Sequence, residues 1–278
     1  MGWKHYETGW HSTGTIGTIG AAVAAAKLLN LSPRKIINAI GIAASSASGL
    51  RQNFGTMTKC WHAGHAAFSG VTAALLAQKG YDASPEILEG KSGFIHAFQG
   101  VQEATFNEES LGSPYSIMKV MFKKYPSCHG THAFVDAVLR LKVQYGFHPK
   151  EIEAIECYGR PLMVDTVLVH HNPKSELEAK FSVEFCVAAA LVFDWLGVAQ
   201  FTDVVLFNTV VRALMKKVSL MGDPGLEELA EKEKLLAPGK VKIVLKDGRE
   251  LTQTILEASG GPRDPTVSYT HLTLPTKA

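Results

Sequence analysis

The chain has 278 residues, 46% of them hydrophobic, enough for one large domain or two of ordinary size around a sizeable core. Its 28 Lys and Arg against 26 Asp and Glu leave a net charge of +2, too mild for the dense basic stripe of a nucleic-acid protein. Charged residues are 19% of the chain, below the usual quarter or so of a soluble domain, which points to extra buried surface between domains or subunits.

The start, Met-Gly-Trp-Lys-His-Tyr-Glu, has no apolar run, so no signal peptide is expected. The first stretch of about 100 residues reads as helical and rich in small side chains. Gly14, Gly17, Gly20 and Ala24 recur at helical spacing and predict close helix packing. Ser32 suits an N-cap and Pro33 the first position of a helix that runs through Ile36, Ile37, Ile40 and Ala44 and ends near Gly49. Residues 50–59 read as a loop, 62–78 as a third helix, and Ser84-Pro85 as the start of a short fourth. Gly112-Ser113-Pro114 then breaks the chain. Residues 117–125 alternate apolar and basic side chains and predict a strand. Residues 131–145 predict an amphipathic helix stopped by Gly146, and 152–158 a strand. Helices are expected over 182–195 and 203–218. Asp247-Gly248 between alternating runs at 241–245 and 251–256 is a strong hairpin signal. The expected class is therefore α+β: a helical domain over 1–112 and a smaller α+β domain over 113–265. The longest apolar stretches, around Ala21 and Val187, are shorter than ~20 residues, so no membrane span is expected. Cys60, Cys128, Cys157 and Cys186 form no CxxC pair and read as reduced thiols of a cytoplasmic protein.

Three stretches concentrate His, Lys, Ser and Thr beside glycines. The first, from Gly9 to Thr15, sets His11 before a long helix, where backbone N–H groups favour anions and a neutral imidazole. Ser12 or Thr13 could equally be a plain cap. The second, from Asn53 to His65, sets Lys59 at a helix mouth, against the helix dipole; such a lysine is either solvated or waiting for an anion. His62 and His65 lie one turn apart, but no nearby carboxylate offers a third ligand, so no metal is expected. The third, from Phe122 to His132, joins a strand end to a helix start. Cys128 and His129 are adjacent, a poor geometry for a thiol nucleophile and its base. Lys123 and Lys124 with His129 and His132 make a better anion cradle. No GxGxxG, P-loop or GxSxG pattern occurs. Cations, imidazoles and hydroxyls without a carboxylate cluster suit a polycarboxylate substrate, with lysines gripping carboxylates and an imidazole moving a proton.

Four motifs together resemble the MmgE/PrpD family. They are Gly-Trp-His-Ser-Thr-Gly-Thr-Ile-Gly from Gly9, and Asn-Phe-Gly-Thr-Met-Thr-Lys from Asn53 followed by His-Ala-Gly from His62. Tyr-Pro-Ser-Cys-His-Gly-Thr-His from Tyr125 and Glu-Ala-Lys-Phe-Ser from Glu178 complete the set. The likeness covers about residues 5 to 265 in order. It implies a large all-helical domain with a smaller α+β lid-like domain, a homodimer, and chemistry without metal or organic cofactor. It further implies a site between the domains, with His11, Lys59 and Lys123 facing one cleft and His129 or His132 at or beside another site position. His11, Lys59, Lys123 and His129 are thus the candidate catalytic residues, and Thr58, His62, Tyr125 and His132 the candidate substrate-binding ones. The family includes 2-methylcitrate dehydratase and cis-aconitate decarboxylase. The leading expectation is a hydro-lyase acting on 2-methylcitrate or a related hydroxy-tricarboxylate. A cis-aconitate-type decarboxylase, a dicarboxylate epimerase, or a non-catalytic binding or assembly protein are the alternatives. Two departures stand out: His65 replaces a common arginine, and Phe185 sits where some relatives carry tyrosine. The resemblance also implies further helical chain before Gly9 and after the hairpin. Residues 266–278 match nothing familiar and read as a non-native tail. On that reading the 278-residue chain is a truncated member, inactive or nearly so, and prone to association.

Overall fold

The computed structural model describes residues 3–99, 112 and 115–265. The expected tail, 266–278, and Ser113-Pro114 lie outside the described residues. The chain divides into two units, Met1–Leu111 and Gly112–Ala278.

The first unit holds helices α1 (Trp3–Glu7), α2 (Ser12–Leu28), α3 (Pro33–Ser46), α4 (Met57–Gln78) and α5 (Phe94–Gln99). Its described residues include no strand, only an isolated bridge from Trp10 to Leu50. Alanines form the seams between α2, α3 and α4: Ala22, Ala26, Ala39, Ala43, Ala73, Ala74 and Ala77 are all buried. Small side chains let helix axes approach, and alanine costs a helix least. Gly70 marks one close approach, since a Cβ there would meet Ala21 Cβ at 2.5 Å and Ala22 N at 2.7 Å. The expected glycine stripe holds only in part. Gly14 packs against the Ser48 carbonyl and Gly17 faces Ala66, but Gly20 and Ala24 are exposed. The buried face of α2 is turned, running through Gly14, Thr15, Thr18, Ala22 and Ala26.

Ser32 and Pro33 start α3 as expected, but the helix stops at Ser46, short of Gly49. Its buried face is Asn38, Ala39, Gly41, Ala43 and Ala44, while Ile37 is exposed and Ile36 and Ile40 are only half-buried. Residues 57–59 are not loop: α4 begins at Met57, so Thr58 and Lys59 lie in its first turn. No helix starts at Ser84-Pro85. The chain makes turns there, closed by Gly90 N to Glu86 O and Gly93 N to Gly90 O, before α5. Along α4, Met57, Trp61, Phe68, Val71 and Leu75 stand exposed at helical spacing.

The second unit carries α6 (His129–Tyr145), β1 (Ile152–Gly159), α7 (Pro161–Thr166), α8 (Glu176–Ala179) and α9 (Val183–Phe193). After these come α10 (Asp203–Leu206), α11 (Thr209–Met215), β2 (Val218–Gly222), α12 (Pro224–Glu233), β3 (Gly239–Leu245) and β4 (Glu250–Ile255). The sheet order is β2-β1-β3-β4, with β1 and β2 parallel and the other pairs antiparallel. Helix α6 packs on β3 and β4, and α9 on α6, α11 and β2. All residues from Val183 to Leu191 are buried, as an apolar helix without a polar face requires. Mixed helix and sheet agree with the α+β expectation. The hairpin forms as read: Gly248 takes φ +88° and donates to Leu245 O. Gly146 ends α6 in the left-handed conformation.

Two expectations here are corrected. Residues 117–125 form no strand. A 3-10 turn, Ser116–Lys119, leads into irregular chain in which Ile117, Val120 and Phe122 are exposed. A strand that the sequence reading had not marked, β2, pairs parallel with β1 and begins at the end of the region read as helix 203–218. That helix is also split, because the Asn208 side chain accepts from Val210 N and Val211 N and starts α11 afresh.

Candidate active site

In the helical unit, His11 is the N-cap of α2 and His62 lies one turn into α4. Their Nδ1 atoms are 2.9 Å apart, and both rings are buried. The backbone fixes this approach. His11 N donates to Gly49 O, Gly14 packs on the Ser48 carbonyl, and a Cβ on Gly49 would meet His62 Cγ and Nδ1 at 3.4 Å. Gly49 has φ +136°, so glycine serves both the conformation and the space. Phe54 sets its edge or face against His11 at 4.9 Å, and Lys59 Nζ lies 5.7 Å from the Phe54 ring centre. Burial, then Lys59, then His62 push the His11 pKa down to about 4. Burial, Lys59 and His65 lower that of His62. Both imidazoles are thus neutral near pH 7, beside a cation in the first turn of a helix.

His65 stacks on Trp61 at 4.3 Å and contacts Ser69. Thr58 is exposed in the first turn of α4. One residue of the helical unit escaped the sequence reading. His5 is fully buried, its Nε2 2.8 Å from Thr15 Oγ1 and its Nδ1 3.3 Å from Phe98 O. If Nδ1–H donates to that carbonyl, Nε2 accepts from Thr15, one turn along α2 from His11. Nothing in the short segment before Gly9 marked it beyond the histidine itself.

In the sheet unit, the stretch from Lys123 to His132 leads into α6. Lys123 is exposed and its Nζ donates to Ser127 O at 2.9 Å. His129 opens α6, half-buried, its pKa lowered by burial and by Lys123 against the pull of Asp136. His132 is fully buried. Neither of its ring nitrogens makes a well-formed hydrogen bond, and burial followed by His129 and Lys123 drives its pKa down to about 3. The Tyr125 hydroxyl does not face an open space: it is buried and donates to Asp136 Oδ1 at 2.6 Å. Lys124 Nζ joins the same oxygen at 3.1 Å, and Ser259 N donates to Asp136 Oδ2 at 2.8 Å. These three donors hold Asp136 below the ordinary carboxylate range against the opposing cost of burial. Asp136 was not singled out in the sequence, although a charged residue on the buried face of an apolar helix was a signal for it.

His129 also lines a cavity of about 330 Å³ with Met121, Lys234, Leu256, Glu257 and Arg263. Arg263 pairs with Glu233 across its rim. Cys128 is the N-cap of α6 and its N–H bonds Lys180 O. Cys186 is buried and its thiol pushed up to about 12, so it stays protonated. Among the described residues no cluster of three or more His, Cys, Asp or Glu could hold a metal, and no helix is long and apolar enough to cross a membrane.

Comparison with known proteins places both units. The family model of the MmgE/PrpD N-terminal domain matches residues 1–107, and that of the C-terminal domain residues 125–272. A cis-aconitate decarboxylase of Aspergillus terreus is 30% identical over 92% of this chain and 55% of its own length. The mouse cis-aconitate decarboxylase is 30% identical over 88% of this chain and 50% of its own. A 2-methylcitrate dehydratase of Salmonella typhimurium is 24% identical over 86% and 51%. The chain therefore spans about half the length of the curated relatives it matches.

Proposed function

Since the chain belongs to the MmgE/PrpD family, we propose that its two units carry the chemistry of a lyase acting on a small polycarboxylate. The observation that carries this reading is the pair of neutral, buried imidazoles beside Lys59. A neutral imidazole can take a proton at pH 7, and a nearby ammonium offsets charge that builds on a carboxylate-stabilised carbanion. Lys59 in the helical unit and Lys123 in the sheet unit supply cations for carboxylates. His11 moves the proton in the first unit and His129 in the second. Tyr125 holds its loop rather than the substrate, because its hydroxyl is committed to Asp136.

Within the family, decarboxylation of cis-aconitate is the finer reading, placed ahead of dehydration of 2-methylcitrate. Identity to the decarboxylases reaches 30%, against 24% to the dehydratase, and this supports that order. Both reactions pass through a carbanion next to a carboxylate, so the same lysines and imidazoles serve either one. The test is to titrate the chain with each tricarboxylate by calorimetry. Carbon dioxide from cis-aconitate and water loss from 2-methylcitrate are then followed in a chimera that carries residues 1–265 in place of the matching half of the Aspergillus terreus enzyme. Binding of cis-aconitate with carbon dioxide release is expected. A chain that binds neither acid, in a chimera that turns over neither, would remove the lyase reading.

A further inference from the structure

We infer that His11 and His62 work as one acid–base unit that shares a single proton, with His62 as the residue that sets the tautomer of His11. This rests on the lyase reading above and extends it to a specific proton path. The two Nδ1 atoms lie 2.9 Å apart. At that distance one nitrogen must carry a hydrogen and the other must accept it. Two bare nitrogens would repel, and two N–H groups would clash. In the neutral pair the rings therefore hold opposite tautomers. The ring with Nδ1–H has a bare Nε2, which is a base. The ring with bare Nδ1 has Nε2–H, which is an acid.

Among the described residues neither Nε2 has a hydrogen-bond partner. The pair thus turns one acceptor and one donor outward while spending both Nδ1 atoms on each other. The surroundings keep the rings in place: Phe54 against His11, Gly49 against His62, and the His11 N–H on the Gly49 carbonyl.

The proton balance follows. A proton taken up at the bare Nε2 makes that ring an imidazolium. Its Nδ1–H passes to the partner Nδ1, and the partner releases its Nε2 proton. One proton enters, one leaves, and the internal hydrogen bond has reversed direction. No oxidant, metal or further reactant is needed. A dehydration uses both ends, taking a proton from carbon and giving one to the departing hydroxide. A decarboxylation uses the acid end to protonate the carbanion and reloads from water.

The experiment is nitrogen-15 histidine NMR on the 278-residue chain, with the pair assigned through His11→Leu and His62→Leu. The expected result is one ring as the Nδ1–H tautomer, its partner as the Nε2–H tautomer, and a coupling across the Nδ1–H to Nδ1 bond. His62→Leu should return His11 to the ordinary tautomer mixture. His62→Asn, whose amide can stand near the lost Nδ1, should partly restore the original tautomer. Equal tautomers in the wild-type rings, or an unchanged His11 signal in His62→Leu, would overturn the inference. The wild-type spectrum decides the matter even if a variant fails to fold. Absence of tricarboxylate turnover in the chimera described above, with the shared proton intact, would overturn the lyase reading alone.

Discussion

The two histidine clusters are built on opposite principles. In the helical unit two imidazoles bond each other, and small residues crowd them together. In the sheet unit His132 makes no well-formed bond, while a buried carboxylate beside it collects three donors. The first arrangement leaves the chemistry in the rings. The second places the strongest polar contacts in the scaffold, where Asp136 ties α6, the chain before it and the segment after β4 into one piece. Neutral histidines result in both places, because burial and a nearby lysine act in the same direction.

Breaking the scaffold should have the largest effect. Asp136→Ala leaves a buried hydroxyl, an ammonium and a backbone N–H without their acceptor, and removal of one partner from a buried ionic network costs about 3–5 kcal/mol. Denaturant unfolding should show that loss in the sheet unit. A loss below about 1 kcal/mol would make the Asp136 network incidental. Acid should act similarly: a carboxylate held below its ordinary value contributes stability at neutral pH that disappears as pH falls through its folded-state value, below 3.8.

Lys59→Ala tests the ring chemistry. Losing one charge-stabilising group typically costs about 2.7–4 kcal/mol in the transition state, so kcat/KM in the chimera should drop by at least ~100-fold. Lys79, at the far end of α4, is exposed and should matter little. Equal, small effects from both would make Lys59 an ordinary surface lysine.

His11 offers a comparison by pH. Its folded pKa is about 4 against an ordinary 6.5, so the unfolded chain binds the extra proton first. Stability should fall as pH drops from 6.5 toward 4, by roughly 3 kcal/mol from this group when the shift is converted. It should be fully retained above that window. Thermal melts of wild type and His11→Gln between these pH values should diverge; parallel melts would show that His11 is not held neutral by the fold. Smaller still, Gly70→Ala puts a methyl against the α2 backbone, and overpacking of this kind costs about 1–3 kcal/mol. A melting temperature equal to wild type would mean that α2 and α4 separate readily.

Local signals carried most of the fold that was legible in the sequence. Asp247-Gly248 announced a hairpin, Gly146 a helix stop and Ser32-Pro33 a helix start, each through the conformation its own backbone favours. Pairing over distance was not legible. Residues 117–125 alternate as a strand would yet form none, while Val218–Gly222 pairs with β1 without having been marked, because a ladder depends on which segment reaches a sheet edge. The histidines suffered the same limit. His11 and His62 were each marked by their neighbours, but 51 residues separate them and nothing local says that they touch. Thr58 and Lys59 were placed in a loop because their turn of helix is polar. Tyr125 was read as facing a ligand because its partner, Asp136, sits in the next helix.

The stack of Trp61 on His65 has a practical consequence. Indole emission responds to the electric field around the ring and to an imidazole lying flat against it. Trp61 sits half a turn from Lys59 on α4 and is solvent-exposed, so it views the same end of the helix as the proposed anion site. The protein has four tryptophans. With the other three changed to phenylalanine, the colour and brightness of Trp61 become an optical gauge of anion arrival at the start of α4, readable in a cuvette without substrate turnover.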